Sequence, residues 1–80
     1  MTQAYLADAS SGDRCVVLEI ASEPANLKSR LYALGVIPGS TLDILRFAPL
    51  GDPIQVKVRG SFISIRKSDA EVIRVKIQYP

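Results

Sequence analysis

Apolar residues alternate with polar ones along much of the second half of this chain, and at one place in the first half the period changes from two to about three and a half. Ile54, Val56 and Val58 face one way while Gln55, Lys57 and Arg59 face the other; Ile73, Val75 and Ile77 repeat the pattern against Arg74 and Lys76. TLDILRF alternates through Leu42 and Ile44, and Phe62 to Lys67 reads as a further strand with Ile63 and Ile65 inward and Phe62 outward or at an end. The β-branched run CVVLEI, within Arg14 to Ala21, predicts a first strand. Between it and Leu42, the residues Leu27, Leu31 and Leu34 stand at helical spacing, so one apolar stripe faces a core while Lys28 and Arg30 lie off it.

Local signals set the ends of these elements. Ser22 is the expected N-cap of the helix, with Glu23 and Pro24 in its first turn. Gly35 follows Leu34 as the left-handed residue that closes a helix, with Val36 placed for the apolar contact of such a cap. Pro38 and Gly39 predict a type II turn leading into a strand. APLGDP, residues 48–53, reads as a stiff loop that projects from a sheet, Gly60 with Ser61 as a short break, and SDAEVI as one helical turn started by Ser68. Residues 1–12 hold little apolar pattern beyond Tyr5 and Leu6 and are expected to form a loosely held lead with at most a short strand pairing. Five short strands are too few for a large sandwich; a small curled barrel that hides its edges, with one helix after the first strand and a helical turn before the last, is the expected architecture, built as a single domain over residues 1–80.

Composition supports a folded chain: 48% hydrophobic and 22% charged residues are enough for a core without a staple at this length. The one cysteine, Cys15, lies in an apolar strand and reads as a small buried hydrophobe in a reducing compartment. Neither a secretory signal nor a run long enough to span a bilayer is visible, which points to a cytoplasmic protein that does not insert into membranes. The net charge of +2 is uneven. Residues 1–40 hold three basic and four acidic side chains, residues 41–80 seven and four. Lys57, Arg59, Arg66, Arg74 and Lys76 would form a continuous patch only if their strands were neighbours, and the aromatics are not spaced as a base-stacking platform, so nucleic-acid binding ranks below ordinary solvation of that face.

Chemistry is thinly represented. Histidine is absent, which removes the commonest general base and the commonest transition-metal ligand. No phosphate-cradling loop, calcium-loop spacing or zinc-ligand cluster occurs, so neither a catalytic centre, a cofactor nor a metal site is expected. The loop from Ala48 to Pro53 is a candidate contact, because Leu50 would project an apolar side chain from a backbone stiffened by Pro49 and Pro53.

The order Leu31-x-x-Leu34-Gly35-Val36-x-Pro38-Gly39, a strand, Ala48-Pro49-Leu50-Gly51-Asp52-Pro53, a strand ending at Gly60, then Ile65-Arg66-Lys67 and Asp69-Ala70 before the final strand resembles the bacterial ferrous iron transport protein A family, FeoA. The resemblance covers roughly residues 13–77. It implies an SH3-like barrel, a fold also found as the C-terminal domain of DtxR-type metal-dependent regulators. It further implies a non-enzymatic accessory of ferrous iron uptake whose partner is the membrane GTPase FeoB, contacted through its cytosolic domain. By the same resemblance Leu31, Leu34, Pro38, Leu50, Pro53, Arg59 and Arg66 are the candidate partner-binding residues. A regulatory docking domain is the alternative, ranked lower for a chain that begins at Met1 with no helix-turn-helix ahead of the barrel.

Overall fold

The computed structural model describes residues 2–23 and 25–78. The elements run β1 (Thr2–Tyr5), β2 (Arg14–Ile20), α1 (Ala25–Ala33), β3 (Thr41–Phe47), β4 (Ile54–Val58), β5 (Ser61–Ile65), α2 (Lys67–Ala70) and β6 (Ile73–Gln78). All neighbouring strands pair antiparallel in one sheet of order β1-β6-β2-β3-β4-β5. The inward residues predicted from alternation are buried: Leu42, Ile44, Ile54, Val56, Val58, Ile65, Ile73, Val75 and Ile77, joined by Cys15, Val17 and Ile20 from β2. Leu27 and Leu31 of α1 and Val36 beyond it close the core. Ile63 is half-buried against it, and Phe62 points outward.

Two register shifts let so short a sheet curl. One lies between Val17 and Glu19 where β2 meets β6, the other between Ile44 and Arg46 where β3 meets β4. Each inserts a residue that the partner strand does not match and sharpens the local twist. The inserted Leu45 is consequently exposed.

Two expectations change. There are six strands, because residues 2–5 form β1 along β6, in register from Thr2 opposite Ile77 to Tyr5 opposite Arg74. The lead is therefore part of the fold. A 3₁₀ turn at Leu6–Asp8, closed by the Tyr5 N–H on Asp8 Oδ2 at 3.2 Å, drives Leu6 fully into the core. The Gly12 N–H then donates to the Ile44 carbonyl at 2.8 Å. The helix is described from Ala25, and the first turn expected after a cap at Ser22 runs through Pro24, which lies outside the described residues. Finally, α2 starts at Lys67 with Arg66 at its N-cap rather than at Ser68, because the Asp52 carboxylate accepts the Lys67 N–H at 3.0 Å from across the fold.

Since Leu6 is as deeply placed as any core residue, Leu6→Ala should cost about 2–5 kcal/mol. Urea unfolding measures this; a loss under ~0.5 kcal/mol, the size of an ordinary surface change, would return residues 1–12 to the status of a dispensable lead.

Candidate docking surface

The end of α1 is shaped by backbone bonds. Val36 N–H donates to the Leu31 carbonyl at 2.9 Å and Gly35 N–H to the Tyr32 carbonyl at 3.0 Å, the paired bonds of a Schellman cap with Gly35 at φ +92°. Ile37 to Ser40 then form the expected turn, Ser40 N–H to Ile37 O at 2.9 Å with Gly39 at φ +91°. The Ser40 hydroxyl, in a largely buried side chain, donates to the Gly35 carbonyl at 2.9 Å and accepts the Ile37 N–H. Leu31 lies beneath this corner in the core, while Leu34 and Pro38 are exposed on it.

Arg59 joins them from the β4–β5 hairpin. Arg59 and Gly60 form a two-residue connection with φ +51° and +80°, the signs of a primed hairpin turn. The arginine side chain lies across Gly35, where an added Cβ would sit 3.4 Å from Arg59 Cδ and 3.8 Å from Nε. A cation is favourable at that point, because the last carbonyls of α1 leave a partial negative charge there. Leu34, Pro38 and Arg59 thus share one end of the fold.

Leu50, Pro53 and Arg66 gather at the other end of β4 and β5, about 15 Å away along the strands at some 3.3 Å per residue. Ala48 N–H to Pro53 O at 2.9 Å and Gly51 N–H to Ala48 O at 2.8 Å close the loop, and the Asp52 contact to Lys67 ties it to the start of α2. Leu50 occupies the position of this turn that favours glycine, at φ 70° and ψ 9°, and its side chain is 100% exposed. The two groups are separate surfaces.

The basic residues do not form one patch. β4 and β6 are separated by β2 and β3; Arg74 pairs with Glu19 at 3.5 Å and Arg30 with Asp69 at 3.3 Å. Lys57, Arg59 and Arg66 surround β5, Arg59 at one end of the strand and Arg66 at the other. A cleft between Tyr5, Glu19, Ala21, Glu71, Val72 and Arg74 holds about 160 Å³, below the range of small-molecule sites. Cys15 is fully buried, and burial, with smaller contributions from the charges of Asp13 and Asp43, pushes its thiol up to about 11. Among the described residues no helix is long and apolar enough to cross a membrane.

A family model, the FeoA domain, matches residues 5–77. The chain belongs to the FeoA family. The match begins at Tyr5, so it takes in the 3₁₀ turn and Leu6 that the sequence resemblance left out. The FeoA protein of Chlorobium tepidum has a solution structure that superposes with a TM-score of 0.86 at 43% identity, covering 95% of this chain and 71% of that one. A protein of Porphyromonas gingivalis described as a fusion of Fe(2+) transport protein A with the Fe(2+) transporter FeoB is 26% identical over 72 residues, 90% of this chain; the match spans only 8% of that protein's length. A manganese-dependent transcriptional repressor shares the fold, with a TM-score of 0.88 over 98% of this chain and 42% of its own, at 18% identity. The sheet with its helix between β2 and β3 is thus the SH3-like barrel that FeoA members and regulators have in common.

Two side chains generate predictions. A leucine at positive φ costs about 1 kcal/mol that glycine avoids, so Leu50→Gly should leave the urea midpoint unchanged or raise it; a marked loss would mean that Leu50 holds the loop together. For Cys15 the folded pKa lies above the unfolded value near 9.0, so the folded state keeps a proton that the unfolded chain releases. Stability is therefore complete below pH 9 and falls as pH rises toward 11. Urea midpoints across this range should drop in the native protein, and the part due to this thiol should vanish in Cys15→Val; equal slopes in both would sink the assignment.

Proposed function

We propose that this chain is a cytoplasmic, non-enzymatic accessory of ferrous iron uptake that docks on the cytosolic part of a FeoB-type GTPase and modulates it. The observation that carries this is the Porphyromonas gingivalis relative, in which the two partners are one polypeptide. Domains joined in one chain are held at high effective concentration, an arrangement suited to partners that act on one another. Leu50 suits that task. A fully exposed leucine on a turn closed by backbone bonds loses little conformational freedom when it enters a pocket. Retaining it at a position that glycine would occupy with less strain is economical only if the side chain is used.

Purified chain should retain the soluble cytosolic domain of its FeoB in a pull-down. Leu50→Asp should weaken this by about tenfold or more while leaving the urea midpoint within ~0.5 kcal/mol, since aspartate tolerates the same backbone. No retention in any nucleotide state would overturn the proposal.

A further inference from the structure

The sheet ends at β5 with an unpaired edge whose composition and surroundings specify an occupant. The two-residue turn at Arg59 and Gly60 makes Val58 and Ser61 the first hydrogen-bonded pair of the hairpin, and bonded pairs alternate from there. Ser61, Ile63 and Ile65 therefore direct their N–H and C=O groups at β4. Phe62 and Ser64 direct theirs away. Among the described residues no strand lies beyond β5, and no turn or loop bond reaches either of them.

Edges of this kind are usually blunted by charge on the strand itself. Here β5 reads Ser-Phe-Ile-Ser-Ile, with no charge, and its Phe62 is 70% exposed. Cations frame it instead. Arg59 precedes the strand, Arg66 and Lys67 follow it, and Lys57 stands opposite Phe62 with its Nζ 5.6 Å from the ring centroid. Of the neighbouring acids, Asp43 pairs with Arg14 at 2.9 Å, while Asp52 lies at the Arg66–Lys67 end with its carboxylate accepting the Lys67 N–H, which leaves cations in excess around the strand. Two copies joined edge to edge in antiparallel fashion, Phe62 of each opposite Ser64 of the other, would set Arg59 of each against Lys67 of the other, so a second copy is repelled where an acidic strand is drawn in.

We propose that the outer edge of β5 is a strand-addition site for an extended acidic segment of a partner protein, bonded through the backbone of Phe62 and Ser64 with an apolar side chain laid beside the Phe62 ring. It deepens the docking reading by naming the chemistry of the segment bound, and rests on that reading only for the partner's identity. Backbone bonds give such a complex its affinity and the flanking charges its selectivity.

The probe is a short peptide alternating glutamate with valine, compared with one alternating lysine with valine, titrated into the isotopically labelled full chain. The acidic peptide should bind, more weakly as salt rises, and slow hydrogen exchange at the Phe62 and Ser64 amides specifically. Ser64→Pro removes only an outward N–H, which an edge strand tolerates, and should weaken binding at least about tenfold. Should Ser64→Pro fail to fold, the exchange data on the native chain decide alone. Binding that leaves those two amides unprotected, binding equal for both peptides, no binding at all, or a dimer of the native chain that Ser64→Pro dissolves would each overturn the proposal. The pull-down with FeoB is read separately: retention lost on Leu50→Asp but not on Ser64→Pro would leave the docking reading standing and this one fallen.

Discussion

Seven residues, from Leu34 to Ser40, must end a helix, reverse the chain and begin a central strand, with Val36 and Ser40 buried among exposed or half-buried neighbours. The solution is a closed set of bonds. Gly35 and Val36 return theirs to α1, Ser40 serves both Ile37 and Gly35, and the Gly39 N–H meets the Val17 carbonyl at 2.8 Å while Val17 N–H meets Ser40 O at 2.9 Å. α1 is thereby fixed to β2 and β3 at one point. Gly35 meets the demand for positive φ, and the arginine of the opposite hairpin packs across it at ordinary contact distance, so the helix end and that hairpin meet here.

From that corner the division of labour follows. Inward positions are nearly all Val, Ile and Leu, and the thiol among them is kept protonated by its surroundings. Outward positions form cross-strand rows, the clearest running Arg14, Asp43, Lys57 and Phe62 across β2, β3, β4 and β5, joined by an ion pair at one end and a cation over a ring at the other. Such exposed pairs add little stability, on the order of 0–1 kcal/mol each. Their effect is on shape and charge, holding Lys57 above β5 and withdrawing Asp43 from it.

How much of this could be read from the residues depended on whether the signal was local. The cap at Gly35, the turn at Pro38–Gly39, the exposure of Leu50 and the alternation of β4 and β6 are each written within a few neighbours, and the structure agrees with them. Residues 1–12 supported no more than a short strand pairing, because the apolar pattern before Leu6 is too slight to distinguish a strand from a tail; what holds β1 is β6, some seventy residues away. The start of α2 was misplaced for the same reason, since its cap is a carboxylate fifteen residues upstream. The seven candidate contacts followed one family-like motif in sequence, whereas in space they divide into an exposed corner, a loop tip and one core residue, Leu31.

The likeness to a manganese-dependent repressor at 18% identity separates what this barrel needs from what it does. A fold preserved at that distance requires an apolar interior and a few obligatory turn residues, demands that many sequences meet. Nothing in those demands calls for a leucine at positive φ in full solvent, or for an uncharged edge strand with an exposed phenylalanine between clusters of cations. Leu50 lies in the loop between β3 and β4, and Phe62 on β5, the outer strand of the next hairpin. A partner strand laid on β5 would run between Arg59 and Arg66, and its Arg66 end would lie at the same end of the sheet as Pro53 and the loop that carries Leu50. The two exposures are therefore compatible with a single bound segment, extended along the edge and turning its last apolar side chain toward the leucine.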